Sequence, residues 1–91
     1  MRHTPAIVTS VSSTILAANG GRTFLSLQNL SDTAVFCTVD GSPATIVTGY
    51  MLTPNGGMVL WDSEPTVPRA EVRCIHAGEG DKSVVATEAT R

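Results

Sequence analysis

Apolar and polar residues alternate along much of this chain with a two-residue period, and no stretch sustains the 3.6-residue period of an amphipathic helix. Clusters of Gly, Asn, Asp, Ser and Pro interrupt the alternation at intervals suited to short antiparallel strands. The pattern predicts a first strand over Ile7–Ser13, with Ile7, Thr9 and Val11 on one face, after a Pro5 that suits an arm or an edge. Thr14-Ile15-Leu16 then runs into a turn at Ala17–Gly21, where Asn19, Gly20 and Gly21 are expected to supply positive φ angles. Arg22–Leu30 is the clearest strand, with Leu25 and Leu27 on one face and Phe24, Ser26 and Gln28 on the other.

Asn29–Asp32 reads as a reversal, because Asn, Ser and Asp side chains bond the local backbone. Thr33–Val39 returns as a strand with Val35, Cys37 and Val39 on one face, and Asp40-Gly41 ends it. In Ala44–Leu52 the alternation is broken by Gly49, which suggests a bulge or bend. Met58–Asp62 is a strand after the turn Thr53–Gly57, followed by a connection punctuated by Pro65 and Pro68. Ala70–His76 and Ser83–Thr87 are expected to form a hairpin across Gly78–Asp81. Leu16–Gly21 and Leu52–Gly57 echo one another 36 residues apart and read as two turns drawing on the same residues.

Seven to eight short strands with no helix longer than a turn predict an all-β fold, a small antiparallel β-sandwich or a jelly-roll-like barrel. Residues 1–9 are expected to be an N-terminal arm and residues 10–91 a single β-sandwich domain. Composition agrees: 26 of 91 residues are Thr, Val or Ile, which are stiff at χ1 and favour strands. The four aromatics, Phe24, Phe36, Tyr50 and Trp61, are expected to anchor a thin core. Charged residues make up 15% of the chain against about 25% in an ordinary soluble domain. Few like charges then hold copies apart, which points towards association.

A net charge of −2, one lysine (Lys82) and scattered arginines argue against nucleic-acid binding, which needs clustered basic residues. No apolar run exceeds four residues, so no membrane-spanning helix is expected. Thr and Ser follow Met1–Pro5 where a secretory signal would be apolar, so synthesis inside a cell without export is expected. Cys37 and Cys74 could bridge, but without export they are expected to be reduced and to fill core volume.

Candidate chemistry is sparse. Cys74 and His76 share a strand face, yet no spacing characteristic of metal ligands accompanies them, so no metal and no cofactor is expected. There is no Gly-x-Ser-x-Gly turn, and His76 is the only histidine outside the N-terminus. The acids Asp32, Asp40, Asp62 and Glu64 fall at turns or strand ends, where solvated carboxylates usually sit. An enzyme is not expected. Tyr50, Met58 and Trp61 remain as interface candidates, with core packing the alternative, because interfaces favour Trp, Tyr and Met.

The run Arg22-Thr-Phe-Leu-Ser-Leu-Gln28-Asn29-Leu30-Ser31-Asp32-Thr-Ala-Val-Phe36, followed by Gly49-Tyr-Met-Leu52-Thr-Pro54-Asn-Gly56-Gly57, resembles a pattern in small capsid decoration (cement) and head-accessory proteins of tailed bacteriophages. The resemblance spans about residues 14–88, and its motifs are turn chemistry, not catalytic signatures. It implies a structural virion protein on the capsid exterior, made in the host cytoplasm, that ties neighbouring major capsid protein subunits together. It also implies a homo-oligomer, with a trimer favoured. On that view Arg2, His3 and Pro5 of the arm join Tyr50, Met58 and Trp61 as interface residues. The alternative is a carbohydrate- or receptor-binding β-sandwich of a phage fibre or tail, with Tyr50 and Trp61 as its aromatic platform.

Overall fold

The computed structural model describes residues 1–63 and 66–90. Glu64, Pro65 and Arg91, which figured in the sequence reading, lie outside the described residues. Among the described residues there are eight strands: β1 (Arg2–Val8), β2 (Ser13–Leu16), β3 (Arg22–Asn29), β4 (Val35–Thr38), β5 (Tyr50–Leu52), β6 (Met58–Trp61), β7 (Val72–His76) and β8 (Lys82–Thr90). They form two four-stranded antiparallel sheets, sheet A in the order β1-β8-β3-β6 and sheet B in the order β2-β7-β4-β5. The all-β architecture is the one the alternation predicts, a small β-sandwich.

The strands turn every second side chain inward, except in β2, where a register shift after Thr14 buries both Ile15 and Leu16, and the core forms where the two inner faces meet. Sheet A contributes Val8, Leu25, Leu27, Val84 and Ala86, while sheet B contributes Ile15, Leu16, Val35, Cys37, Leu52, Val72 and Cys74. Val67 closes the core from the connection before β7. Aliphatic residues therefore fill the interior, contrary to the expected aromatic anchoring: Trp61 packs only at its margin and Tyr50 is 45% exposed. Phe24 and Phe36 occupy the half-buried outward positions of β3 and β4.

Four further expectations need correction. The segment expected as an arm is an edge strand, pairing with β8 from Arg2↔Glu88 to Val8↔Lys82. Pro5 permits this because the ladder alternation, set by Leu30 N–H donating to Ser83 O, leaves residues 3, 5 and 7 with their backbone polar groups on the open side. Val8 is fully buried, whereas Ile7 and Val11 are exposed.

Next, β7 and β8 do not form a hairpin, since β7 belongs to sheet B and β8 to sheet A. The connecting loop folds onto His76, whose Nδ1 accepts from Gly78 N–H at 3.0 Å while its Nε2 lies 2.7 Å from Gly80 O. Only a bare nitrogen can accept a backbone N–H, so the ring is the neutral tautomer with its proton on Nε2. The turn at 17–21 uses no positive φ; the left-handed residues are Gly41, Gly49, Asn55, Gly56 and Gly80.

Finally, Cys37 and Cys74 are joined by a disulfide. Register is the reason: the two residues stand directly opposite on the inner faces of β4 and β7, with Cα atoms 4.1 Å apart. This is the narrow kind of antiparallel pair, which brings two sulfurs within bonding reach.

Candidate functional site

The strand registers assemble the outer face of sheet A row by row. His3, Thr87, Ser26 and Leu60 form one row across β1, β8, β3 and β6, and Pro5, Val85, Gln28 and Met58 form the next. Ile7 and Ser83 extend the face in one direction, Phe24 and Ala89 in the other. None of these twelve positions is Asp, Glu, Lys or Arg. Ile7, Met58 and Leu60 are 53%, 52% and 49% exposed, so the apolar side chains form a border around a polar centre of Ser26, Gln28 and Thr87. Within the face, His3 Nδ1 lies 2.8 Å from Thr87 Oγ1.

Arg22, whose position would continue this face beyond Phe24, is turned away from it, while Asp62 and Asp81 lie just past the ends of β6 and β8. A register shift between Arg22 and Phe24 sends Arg22 inward, where its side chain is completely buried. The exposed charges are kept at strand ends, at turns and on the other sheet. Lys82 pairs with Asp32 at 3.1 Å at one end of the molecule. Glu71 accepts from Thr14 Oγ1 at 3.1 Å beside sheet B, whose β7 carries Arg73.

A second candidate lies at the side of the sandwich where β5 and β6 edge the two sheets. Tyr50 opposes Cys37 and Trp61 opposes Leu25, so both rings point into the seam. Their centroids are 5.2 Å apart with an interplanar angle of 88°, an edge-to-face contact. Beside Tyr50 is a cavity of about 300 Å³ lined also by Thr38, Val39, Asp40, Ser42, Thr48 and Gly49. The Ser42 hydroxyl and amide both donate to Asp40 Oδ1, at 2.6 and 3.0 Å, and hold this carboxyl below the ordinary aspartate range. Gly49 has φ of +90°, and a Cβ there would collide with Cys37 O, so the cavity wall depends on glycine.

The structure thus divides the expected interface residues into two groups. His3, Pro5 and Met58 share the outer face of sheet A, while Tyr50 and Trp61 meet at the seam. Arg2 belongs to neither; its Nη2 lies 3.9 Å from Glu88 Oε1 at the end of β1. Ile7, Leu60, Val85 and Gln28 complete the face and were missed. Their i, i+2 relation to Pro5 and Met58 was a usable signal once the strands were placed. Asp40 and Ser42 were missed at the cavity because loop geometry, which no periodicity encodes, brings them beside Tyr50.

Residues weighed for catalysis or metal binding have other duties. Cys74 is in the disulfide, and both ring nitrogens of His76 are occupied by the loop that follows it. Among the described residues no group of three or more His, Cys, Asp or Glu gathers as a metal site.

The conspicuous sequence motif is likewise absorbed by the fold. Arg22 donates from Nη1 to Pro68 O and Ala70 O and from Nη2 to Ala17 O. Gln28 Nε2 donates to Gly56 O, and Asn29 Nδ2 donates to Thr33 O and Leu52 O. Ser31 donates to Asn29 Oδ1 from both its amide and its hydroxyl. No protein-family model, curated protein or solved structure matches the chain.

Proposed function

We propose that this chain is a structural virion protein, a capsid decoration or cement subunit that lies on the outside of a phage head and ties neighbouring major capsid subunits together. The observation that carries this reading is the outer face of sheet A, which spans four strands, bears exposed Ile7, Met58 and Leu60 and holds no Asp, Glu, Lys or Arg. With strands about 4.8 Å apart such a face is roughly 19 Å wide. A hydrogen-bonding surface without charges can be covered without stranding an ion, which suits permanent burial against a protein shell. The sequence resemblance adds the phage context, and its motif residues support a shared scaffold. The protein needs neither a cofactor nor nucleic acid to act in this way: its work is mechanical, and several copies serve one shell.

Co-sedimentation of the purified protein with empty phage heads tests the reading. Stoichiometric pelleting, lost in an Ile7→Glu variant that keeps its circular dichroism and melting temperature, is the expected result. A wild-type protein that stays in the supernatant contradicts it.

The glycan-binding alternative has one feature in its favour, the cavity that sets the half-exposed Tyr50 beside the Asp40 carboxylate and the hydroxyls of Ser42 and Thr48. The edge-to-face contact weighs against it, because Trp61 and Tyr50 do not present the flat two-ring platform that a sugar face would cover.

A further inference from the structure

We propose that β6 is an open pairing edge that takes a second copy of this chain, β6 against β6, antiparallel about Val59. The sandwich has four edge strands, β1 and β6 in sheet A and β2 and β5 in sheet B. Natural sheets guard such edges with proline, irregular register, short length or charge. Three of the four are guarded here. In β1 the outward-facing backbone row is His3, Pro5 and Ile7, and Pro5 has no N–H to offer. In β2 the register shifts between Thr14 and Leu16. β5 is only three residues long and starts directly after the left-handed Gly49. β6, Met58-Val59-Leu60-Trp61, has no proline, no glycine, no charge and an unbroken register with β3.

The hydrogen-bond phase shows which groups β6 holds out. Asn29 N–H donates to Gly57 O at 2.8 Å, which makes Asn29 and Gly57 a bonded pair of the ladder. Alternation then turns the polar groups of Val59 and Trp61 towards β3, and the N–H and C=O of Met58 and Leu60 away from it. Among the described residues no backbone group outside the ladder reaches β6 from the open side.

A second copy satisfies these groups with its own. With Val59 opposite Val59 of the second copy, Met58 stands opposite Leu60 and Leu60 opposite Met58, and four N–H···O=C bonds form about a twofold axis. The same register sets Met58 beside Leu60 across the axis on the outer face, an apolar cross-strand pair. Asp62 then falls opposite Gly56 of the second copy, so no acid faces an acid. The two A sheets become one eight-stranded sheet in which the two uncharged faces adjoin, with Asp62 of each copy just past the end of β6. The pairing goes beyond the shell reading and does not depend on it.

Analytical ultracentrifugation of the purified oxidised protein tests the pairing. The expected mass is twice the 9.5 kDa of one chain, halved by Leu60→Lys with circular dichroism unchanged. In a Val59→Cys variant the new cysteine is the only free thiol among the described residues, and it is expected to oxidise to a covalent dimer. A wild-type monomer at every concentration, or an oligomer whose mass Leu60→Lys leaves unaltered, overturns the proposal. Failure of Val59→Cys to cross-link an otherwise dimeric protein overturns the register.

Discussion

Arg22 Nε donates to Glu88 Oε2 at 2.8 Å, and the arginine that makes this bond has no exposed surface at all. Its other nitrogens bond to the carbonyls of Ala17, Pro68 and Ala70, so one side chain ties β8 to the turn before β3 and to the connection before β7. Burying two charges is costly, and the pair is tolerated because hydrogen bonds surround it. Removing one partner leaves the other buried and unpaired. Arg22→Ala is therefore expected to destabilise the domain by about 3–5 kcal/mol. The double variant Arg22→Met/Glu88→Leu is expected to lose less, and urea denaturation of both checks the order.

The same pair predicts a dependence on pH. Burial pushes the Glu88 carboxyl up, but hydrogen bonds from Arg22 and Asn19 and the charges of Arg22 and Arg2 outweigh it, leaving the group below the ordinary 4.5. A carboxyl whose value is lower in the folded state adds stability above its unfolded value and loses it as the pH falls through the folded one. Melting temperature should fall in acid below about pH 4.5, and the fall should be shallower in Glu88→Gln. Asp32 and Asp40 shift the same way at the surface, through Lys82 and Ser42 respectively, and are unchanged in that variant. The difference between the two curves therefore isolates Glu88.

The disulfide closes a loop across 37 residues of sequence. On the chain-entropy account a link of this span stabilises by about 3–4 kcal/mol. That is a large part of the roughly 5–15 kcal/mol available to a small domain. Reductant is expected to lower the urea midpoint by the corresponding amount, with Cys37→Ser/Cys74→Ser giving a midpoint that reductant no longer moves.

Tyr50 and Trp61 hold the open side of the two sheets together by an edge-to-face contact. A double-mutant cycle with Tyr50→Leu and Trp61→Leu is expected to give a coupling of about 0.5–1.5 kcal/mol. A coupling indistinguishable from zero would mean that the rings merely lie near one another.

Much of the fold is written in the period-2 pattern. Leu25 and Leu27 face the core as the alternation says, because Ser26 and Gln28 between and after them are polar, and Val35 and Cys37 do so with Phe36 left half-buried on the other face. The pattern fails where both parities are apolar: in Ala6-Ile7-Val8 either Ile7 or Val8 could face inward, and only pairing with β8 decides. It is also silent on which sheet a strand joins, so the switch of sheets between His76 and Lys82 could pass for a hairpin. Arg22 gave no hydrophobic signal, yet it is among the most deeply buried residues. For the candidate surface, His3, Pro5 and Met58 were individually legible; that they share one face with Ile7 and Leu60 required the registers of three strand pairs.

An electron cryomicroscopy reconstruction of empty heads incubated with the protein tests the central claim most directly. The account predicts added density in which sheet A lies flat against the shell, with Ile7, Gln28 and Met58 at the contact and sheet B facing solvent. Heads without added density, or density in which sheet B meets the shell, would contradict it.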